Sequence, residues 1–180
     1  RLDDVRMVSG GLGGGAPPKP AETARPKLAV VRSAQWHLAG PETQKLMETT
    51  AARLAEAGAI VRRIDLPEPF GRLESLQRVL MAEGAAAAFR HEWAQHRDEL
   101  SESFQRLVRR GLETPEAERA EANALVERCR RELPRLFEPG EVILTPSAPG
   151  DARAGLASTG NSVYNRAWTA LRVPCLTIPA

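Results

Sequence analysis

Short apolar runs alternate along this chain with longer stretches in which apolar residues return every three or four positions. Lys27-Leu28-Ala29-Val30-Val31-Arg32 is a compact run of the kind that fills a buried strand. Pro41, following Gly40, suits a first helical turn, where its missing N–H costs nothing. Leu46, Thr50, Leu54 and Ala57 then share one helical face, and Gly58 supplies a stop. The run from Ala59 to Ile64 predicts a second strand before Leu66-Pro67. Strand, helix and strand in that order make a βαβ unit with parallel strands.

The middle of the chain keeps a helical rhythm. Leu73, Leu76, Leu80, Ala87 and Trp93 predict one helix from about 72 to 96. Ser101 is placed to cap a shorter helix containing Phe104, Leu107 and Val108, with Gly111 near its end. Thr114-Pro115-Glu116 reads as a helix start: a capping hydroxyl, proline at the first position, and acid facing the positive helix end. That helix should run to about Leu133, where Pro134 ends or kinks it. Beyond the turn Glu138-Pro139-Gly140, Val142-Ile143-Leu144 predicts a strand ending at Thr145-Pro146. A Gly- and Ala-rich loop leads to a helix over Val163 to Leu171 and a last strand over Cys175 to Ile178. The fold class expected is α/β, with helices packed on a largely parallel or mixed sheet.

Composition narrows the function classes. The 180 residues are 42% hydrophobic and 27% charged, ordinary for a globular domain. Lys+Arg 25 against Asp+Glu 23 gives a net charge of +2, too even for a nucleic-acid partner. The arginines between Arg128 and Arg135 are interrupted by Glu132 and read as a solvated helix face. No apolar stretch approaches the roughly 18 residues of a membrane span. Cys129 and Cys175 lie far apart without companion ligands, which fits a reducing, cytoplasmic setting. Residues 1–26 read as a connector, flexible through Gly10, Gly11 and Gly13 to Gly15 and extended through Pro17, Pro18 and Pro20. The opening Arg1 and the apolar closing run from Cys175 to Ala180 read as the ends of a piece of something longer.

Familiar chemical motifs fail on context. Gly11-Leu12-Gly13-Gly14-Gly15-Ala16 has the spacing of a dinucleotide loop, but Pro17-Pro18-Lys19-Pro20 forbids the helix that would hold a pyrophosphate. The same glycines lack the Gly-Lys-Ser/Thr ending of a P-loop. His91 and His96 are one residue too far apart for a zincin pair, because Gln95 holds the position one turn on. Trp93 and Trp168 read first as core anchors. No metal or cofactor is expected.

The last forty residues carry more. Val142-Ile143-Leu144-Thr145-Pro146-Ser147-Ala148-Pro149-Gly150, Gly155-Leu156-Ala157-Ser158-Thr159-Gly160, Tyr164-Asn165-Arg166-Ala167-Trp168-Thr169-Ala170-Leu171 and Val173-Pro174-Cys175 together resemble the C-terminal half of amidase-signature enzymes. Upstream, Arg1-Leu2-Asp3-Asp4-Val5, Pro26 to Val31 and Met81-Ala82-Glu83-Gly84-Ala85 are similar to the family's corresponding segments. The resemblance implies an incomplete amidase-signature fold, with residues 27–180 as its C-terminal lobe. It implies hydrolysis of a carboxamide C–N bond to acid and ammonia or amine, without metal or cofactor. In that family a serine attacks the carbonyl, a second serine relays protons and a neutral lysine serves as base. None of those residues carries over, because this chain has no Gly-Gly-Ser-Ser-Gly-Gly-Ser stretch and no lysine in matching context. Catalytic residues are therefore expected outside this chain, and the isolated chain is expected to be inactive.

What remains by resemblance is the wall of a substrate pocket, with Thr145, Ser147, Ser158, Thr159, Gly160, Asn165 and Trp168 as its candidate residues. Each has a plain structural alternative: Thr145 ends a strand, and Asn165 satisfies a turn. Arg172 departs from the family's usual glycine and suggests a narrower pocket or an acidic substrate. The expected partners are a small amide, the missing catalytic half and, through an unpaired strand edge, a second copy of the chain. The alternative is a non-catalytic binding or assembly module built on the same fold; an unrelated helical interaction domain is disfavoured by the alternation of strands and helices.

Overall fold

The computed structural model describes residues 25–152, 154–155 and 158–177. Of the connector over 1–26, all but Arg25 and Pro26 lies outside the described residues, as do its glycine cluster and Ile178. Among the described residues three strands form one sheet in the order β2-β1-β3: β1 (Lys27–Arg32), β2 (Ile60–Asp65) and β3 (Glu141–Leu144). Both pairings are parallel, with Lys27 opposite Ile60 on one side and Glu141 on the other. The sheet formed by these three strands is parallel.

Side chains of a strand alternate between faces, and β1 shows this clearly. Val30 packs with Met47 and Ala51 of α1 (Pro41–Glu56), joined by Val61 and Leu144 from its neighbours. Ala29 and Val31 point the other way, into the main core. There they meet residues of α2 (Glu68–Gly71), α3 (Leu73–Ala88), α6 (Glu116–Glu132) and α7 (Val163–Leu171). β1 is buried on both faces because helices cover both, which accounts for its unbroken apolar run.

Several expectations need correcting. The buried stripe of α1 runs through Met47 and Ala51, while Leu46 is 45% exposed. Both stripes satisfy helical spacing, and the rotation of the helix on the sheet chose between them. The single helix expected over 72–96 is two, α3 and α4 (Arg90–Gln95), separated by Phe89. At that bend the Phe89 ring meets Phe104 of α5 (Glu102–Glu113) edge to face, with centroids 4.7 Å apart. Ser101 caps α5 as expected, its Oγ accepting from the Phe104 N–H at 3.4 Å. Thr114 does not cap α6. Its buried hydroxyl donates backward to the Arg110 carbonyl at 2.6 Å, and Pro115 takes the cap position. The last expected strand is not formed over Cys175–Thr177.

Small residues let α3 and α5 approach closely. A Cβ added to Gly111 would sit 2.0 Å from the Ala82 carbonyl oxygen, so only glycine fits that crossing. Trp168, Ala167, Ala170 and Leu171 bury one face of α7 in the same core as Leu73, Val126 and Cys129.

At the amino edge of the sheet, charges tie all three strands. Arg62 of β2 donates through Nε to Glu141 Oε1 at 2.6 Å and through Nη2 to Oε2, and Nη2 also reaches the Leu136 carbonyl at 2.9 Å. The Glu138 N–H donates to Glu141 Oε2 at 2.9 Å, and Lys27 of β1 pairs with Glu138 at 2.6 Å. The Glu141 side chain is only 2% exposed, and the Arg62 guanidinium holds its carboxyl below the usual carboxylate range.

Candidate functional site at the carboxyl edge of the sheet

The strand order fixes where a ligand site belongs. From β1 the chain crosses α1 to β2 on one side, then returns through α2–α6 to β3 on the other side of β1. This reversal makes a switch point between the carboxyl ends of β1 and β3, where open parallel sheets usually form their ligand crevice. The described segments flanking it are 33–40 after β1 and 145–152 and 158–162 after β3.

Backbone groups hold those segments together. The Pro149 carbonyl accepts from the Gly40 N–H at 2.8 Å and from the Thr43 hydroxyl at 3.1 Å. Gly40 has no side chain to cap α1, and the carbonyl of a distant loop satisfies its own N–H, one of the four left over at the start of the helix. Tyr164, buried in the first turn of α7, donates its hydroxyl to the Gln35 carbonyl at 3.3 Å. Burial pushes the Tyr164 phenol up, so it stays a neutral donor. The Gln35 amide in turn donates to the Gly71 carbonyl at 3.3 Å, linking the rim to α2.

The seven candidate residues fall into three groups. Ser147 and Asn165 come together, with Thr145 two residues earlier in the chain: the Asn165 amide donates to the Ser147 carbonyl at 3.3 Å, and both are exposed. The Thr145 Oγ1 is buried and has no hydrogen-bond partner among the described residues. Such an orphaned hydroxyl costs on the order of 1–3 kcal/mol when nothing satisfies it. Ser158, Thr159 and Gly160 form a separate exposed turn, in which the Gly160 N–H donates to Ser158 Oγ at 3.2 Å. Trp168 stands apart from both groups. It is 3% exposed and packed in the main core, as its residue type alone suggested.

Arg172 sits at the far end of α7. Its backbone has φ 57°, the left-handed region that favours glycine, which is the residue this position resembles in family pattern. The carbonyl of Ala170, two residues before it, is held by Arg130 near the end of α6, at 2.6 and 2.9 Å. From Tyr164 to Arg172 the helix rises about 12 Å, at about 1.5 Å per residue. Arg172 thus lies toward the amino edge, away from the crevice it was expected to narrow.

Residues 35, 40, 43, 149 and 164 escaped sequence reasoning. Gly40-Pro41 marked a helix start, but nothing local names an accepting carbonyl 106 residues from Thr43. Among the described residues no group of three or more His, Cys, Asp or Glu side chains is set to hold a metal ion, and no helix is long and apolar enough to cross a membrane.

The sequence model of the Amidase family matches residues 15–180. The chain belongs to the amidase family. A 2-amino-5-chloromuconic acid deaminase from Comamonas testosteroni is 28% identical over 133 residues, covering 73% of this chain and 29% of that protein. A solved crystal structure of an amidase superimposes with a TM-score of 0.75 at 20% identity, covering 94% of this chain and 41% of its own. That likeness shows the α/β fold. The chain therefore spans under half the length of each of these amidase-family relatives.

Proposed function

We propose that residues 27–180 form the outer lobe of an amidase and supply one wall of its substrate pocket. The reaction is hydrolysis of a carboxamide to acid and ammonia or amine by a serine nucleophile. The serine oxygen bonds to the carbonyl carbon, the C–N bond breaks with a proton delivered to the leaving nitrogen, and water then releases the acid. The Ser-Ser-Lys machinery is assigned to a part of the protein outside these residues. The observation that supports this lobe as a pocket wall is the orphaned Thr145 hydroxyl beside the switch-point crevice, close in sequence to the exposed Ser147. A buried hydroxyl without a partner is a donor and acceptor kept in reserve. The relative named as a muconic acid deaminase favours a small substrate bearing a carboxylate.

A second reading, a non-catalytic binding module, draws on the lack of a Gly-Gly-Ser-Ser-Gly-Gly-Ser stretch in this sequence. Ammonia release separates the two when measured on the full natural polypeptide and on residues 1–180 alone. The amidase reading expects turnover of a small amide by the former and none above buffer by the latter. Turnover by residues 1–180 alone would refute the division of labour. If the full polypeptide binds amides without hydrolysing any, the binding module stands instead.

A further inference from the structure

The helical layer holds a cleft of its own. It encloses about 430 Å³ where α3, α5 and α6 meet, a volume in the range that holds a small molecule. Its floor is apolar, formed by Leu76 and Val79 of α3, and Leu76 belongs to the main core. Arg72 just before α3, Arg78 in its second turn and Arg110 of α5 line the walls, facing Glu118 and Glu121 of α6. The segments flanking the switch point contribute nothing to this lining.

Charge and unused donors point to an anion. Three guanidinium groups against two carboxylates leave the lining one positive charge in excess. The charges behind it cancel, because Glu74 accepts both from Arg78, at 2.7 Å, and from Arg166. Among the described residues Arg72 gives one hydrogen bond, to Glu121 at 2.7 Å, and Arg110 one, to Glu118 at 2.8 Å. A guanidinium carries several N–H donors in a fixed fork, so each keeps an open side for a second carboxylate. Both side chains are about half exposed, at 49% and 59%, so their present ion pairs are weak and yield to a better-placed acceptor. Arg78 differs: it is anchored on Glu74, whose side chain is only 13% exposed, and it fixes one wall.

We propose that this cleft binds a small monocarboxylate with an apolar body. The carboxylate sits between Arg72 and Arg110, and the hydrocarbon covers Leu76 and Val79. One negative charge neutralises the excess, and the two acids of α6 repel a second. The site shares no lining residue with the carboxyl edge and does not depend on the amidase reading.

Ligand-observed NMR titration of the full natural polypeptide with benzoate tests this. Benzyl alcohol supplies the apolar body alone and inorganic phosphate the charge alone. Benzoate is expected to bind with a Kd of roughly 1 mM, and the other two about tenfold more weakly or less. Arg72→Gln and Arg110→Gln should each weaken benzoate about fivefold or more while the helical circular dichroism is kept. Glu118→Gln removes a repelling charge and frees Arg110, and should tighten benzoate about twofold, a gain that loss of folding cannot imitate. Thr145→Val should leave the benzoate Kd unchanged. Absence of benzoate binding overturns the proposal, as does binding that neither arginine variant weakens. Phosphate binding as tight as that of benzoate overturns the ligand class. Benzoate binding lost in Thr145→Val places the acid at the carboxyl edge and overturns this site equally.

Discussion

The amino and carboxyl edges of the same small sheet are held by different physics. At the amino edge a nearly buried carboxylate, Glu141, accepts from Arg62 and from the Glu138 N–H, with Lys27 joined through Glu138. At the carboxyl edge the joints are neutral, centred on the Pro149, Gln35 and Ser147 carbonyls, and Thr145 is left without a partner. The ion pairs closest to that edge, Glu48 with Arg63 and Arg32, have side chains that are more than a third exposed, where salt and water weaken them. Fully satisfied charges rigidify a structure, and a reserve of unsatisfied polar groups is what a binding rim requires. The contrast separates the stabilising end of the lobe from the end proposed to meet substrate.

The largest effect expected is at the amino edge. Glu141→Ala strips Arg62 of its buried acceptor and frees the Glu138 N–H, and should lower stability by about 2 kcal/mol in urea unfolding. The figure is held down because the Arg62 side chain is 39% exposed and water takes up part of its charge. A loss near zero would mean that the clasp is ornamental and the contrast false.

Acid should act through the same residue. The folded carboxyl of Glu141 titrates below its unfolded value of about 4.3. Its contribution is therefore fully present above that pH and is lost as pH falls through the lowered folded value. Glu48, held down by Arg63 and then Arg32, acts in the same direction but from a more exposed site. Burial pushes Glu74 up, yet Arg78 and Arg166 outweigh it, so it joins the same acid-sensitive set. Denaturant midpoints measured from neutral pH into the acid range should slope less steeply in Glu141→Gln than in the unaltered chain.

The carboxyl edge should respond more weakly. Tyr164→Phe removes a hydroxyl whose bond to the Gln35 carbonyl is 3.3 Å long, a loss of about 0.5–1 kcal/mol in the same unfolding assay. Thr145→Val is the smallest and has the opposite sign. It replaces an unsatisfied hydroxyl with a methyl of similar shape, and should leave stability unchanged or raise it by up to about 1 kcal/mol. In the proposed amidase the same change should raise KM for the amide. Destabilisation by Thr145→Val would show that the hydroxyl is already satisfied and would remove it from the proposed pocket.

Much of the fold was legible because its signals are local. The apolar run at Leu28 to Val31, the proline at Pro41 and the cap at Ser101 each act within a few residues, and β1, α1 and α5 begin where these signals place them. Helix rotation was not legible. Leu46 and Met47 are one residue apart, and only the sheet beneath α1 selects the second. Thr114 illustrates the same limit, since a hydroxyl between two helices has two places to go and burial against α5 decided the matter.

The candidate site divides along that line. Sequence alone determined that this is an α/β chain of alternating strands and helices, and its resemblance to amidases put Thr145, Ser147, Ser158, Thr159, Gly160, Asn165 and Trp168 in one pocket wall, of which Asn165 is hydrogen-bonded to Ser147 and Gly160 to Ser158, as two separate groups. Tertiary structure decided that β3 returns to the far side of β1, that Trp168 is a core anchor and that Arg172 lies toward the opposite edge. It also decided that the Pro149 carbonyl accepts from Gly40 and Thr43 at the start of a helix more than a hundred residues earlier. The physical reason is range: propensity, capping and periodicity act over a turn or two of chain. The crevice, by contrast, is made by groups that only the closing of the sheet brings within hydrogen-bond reach.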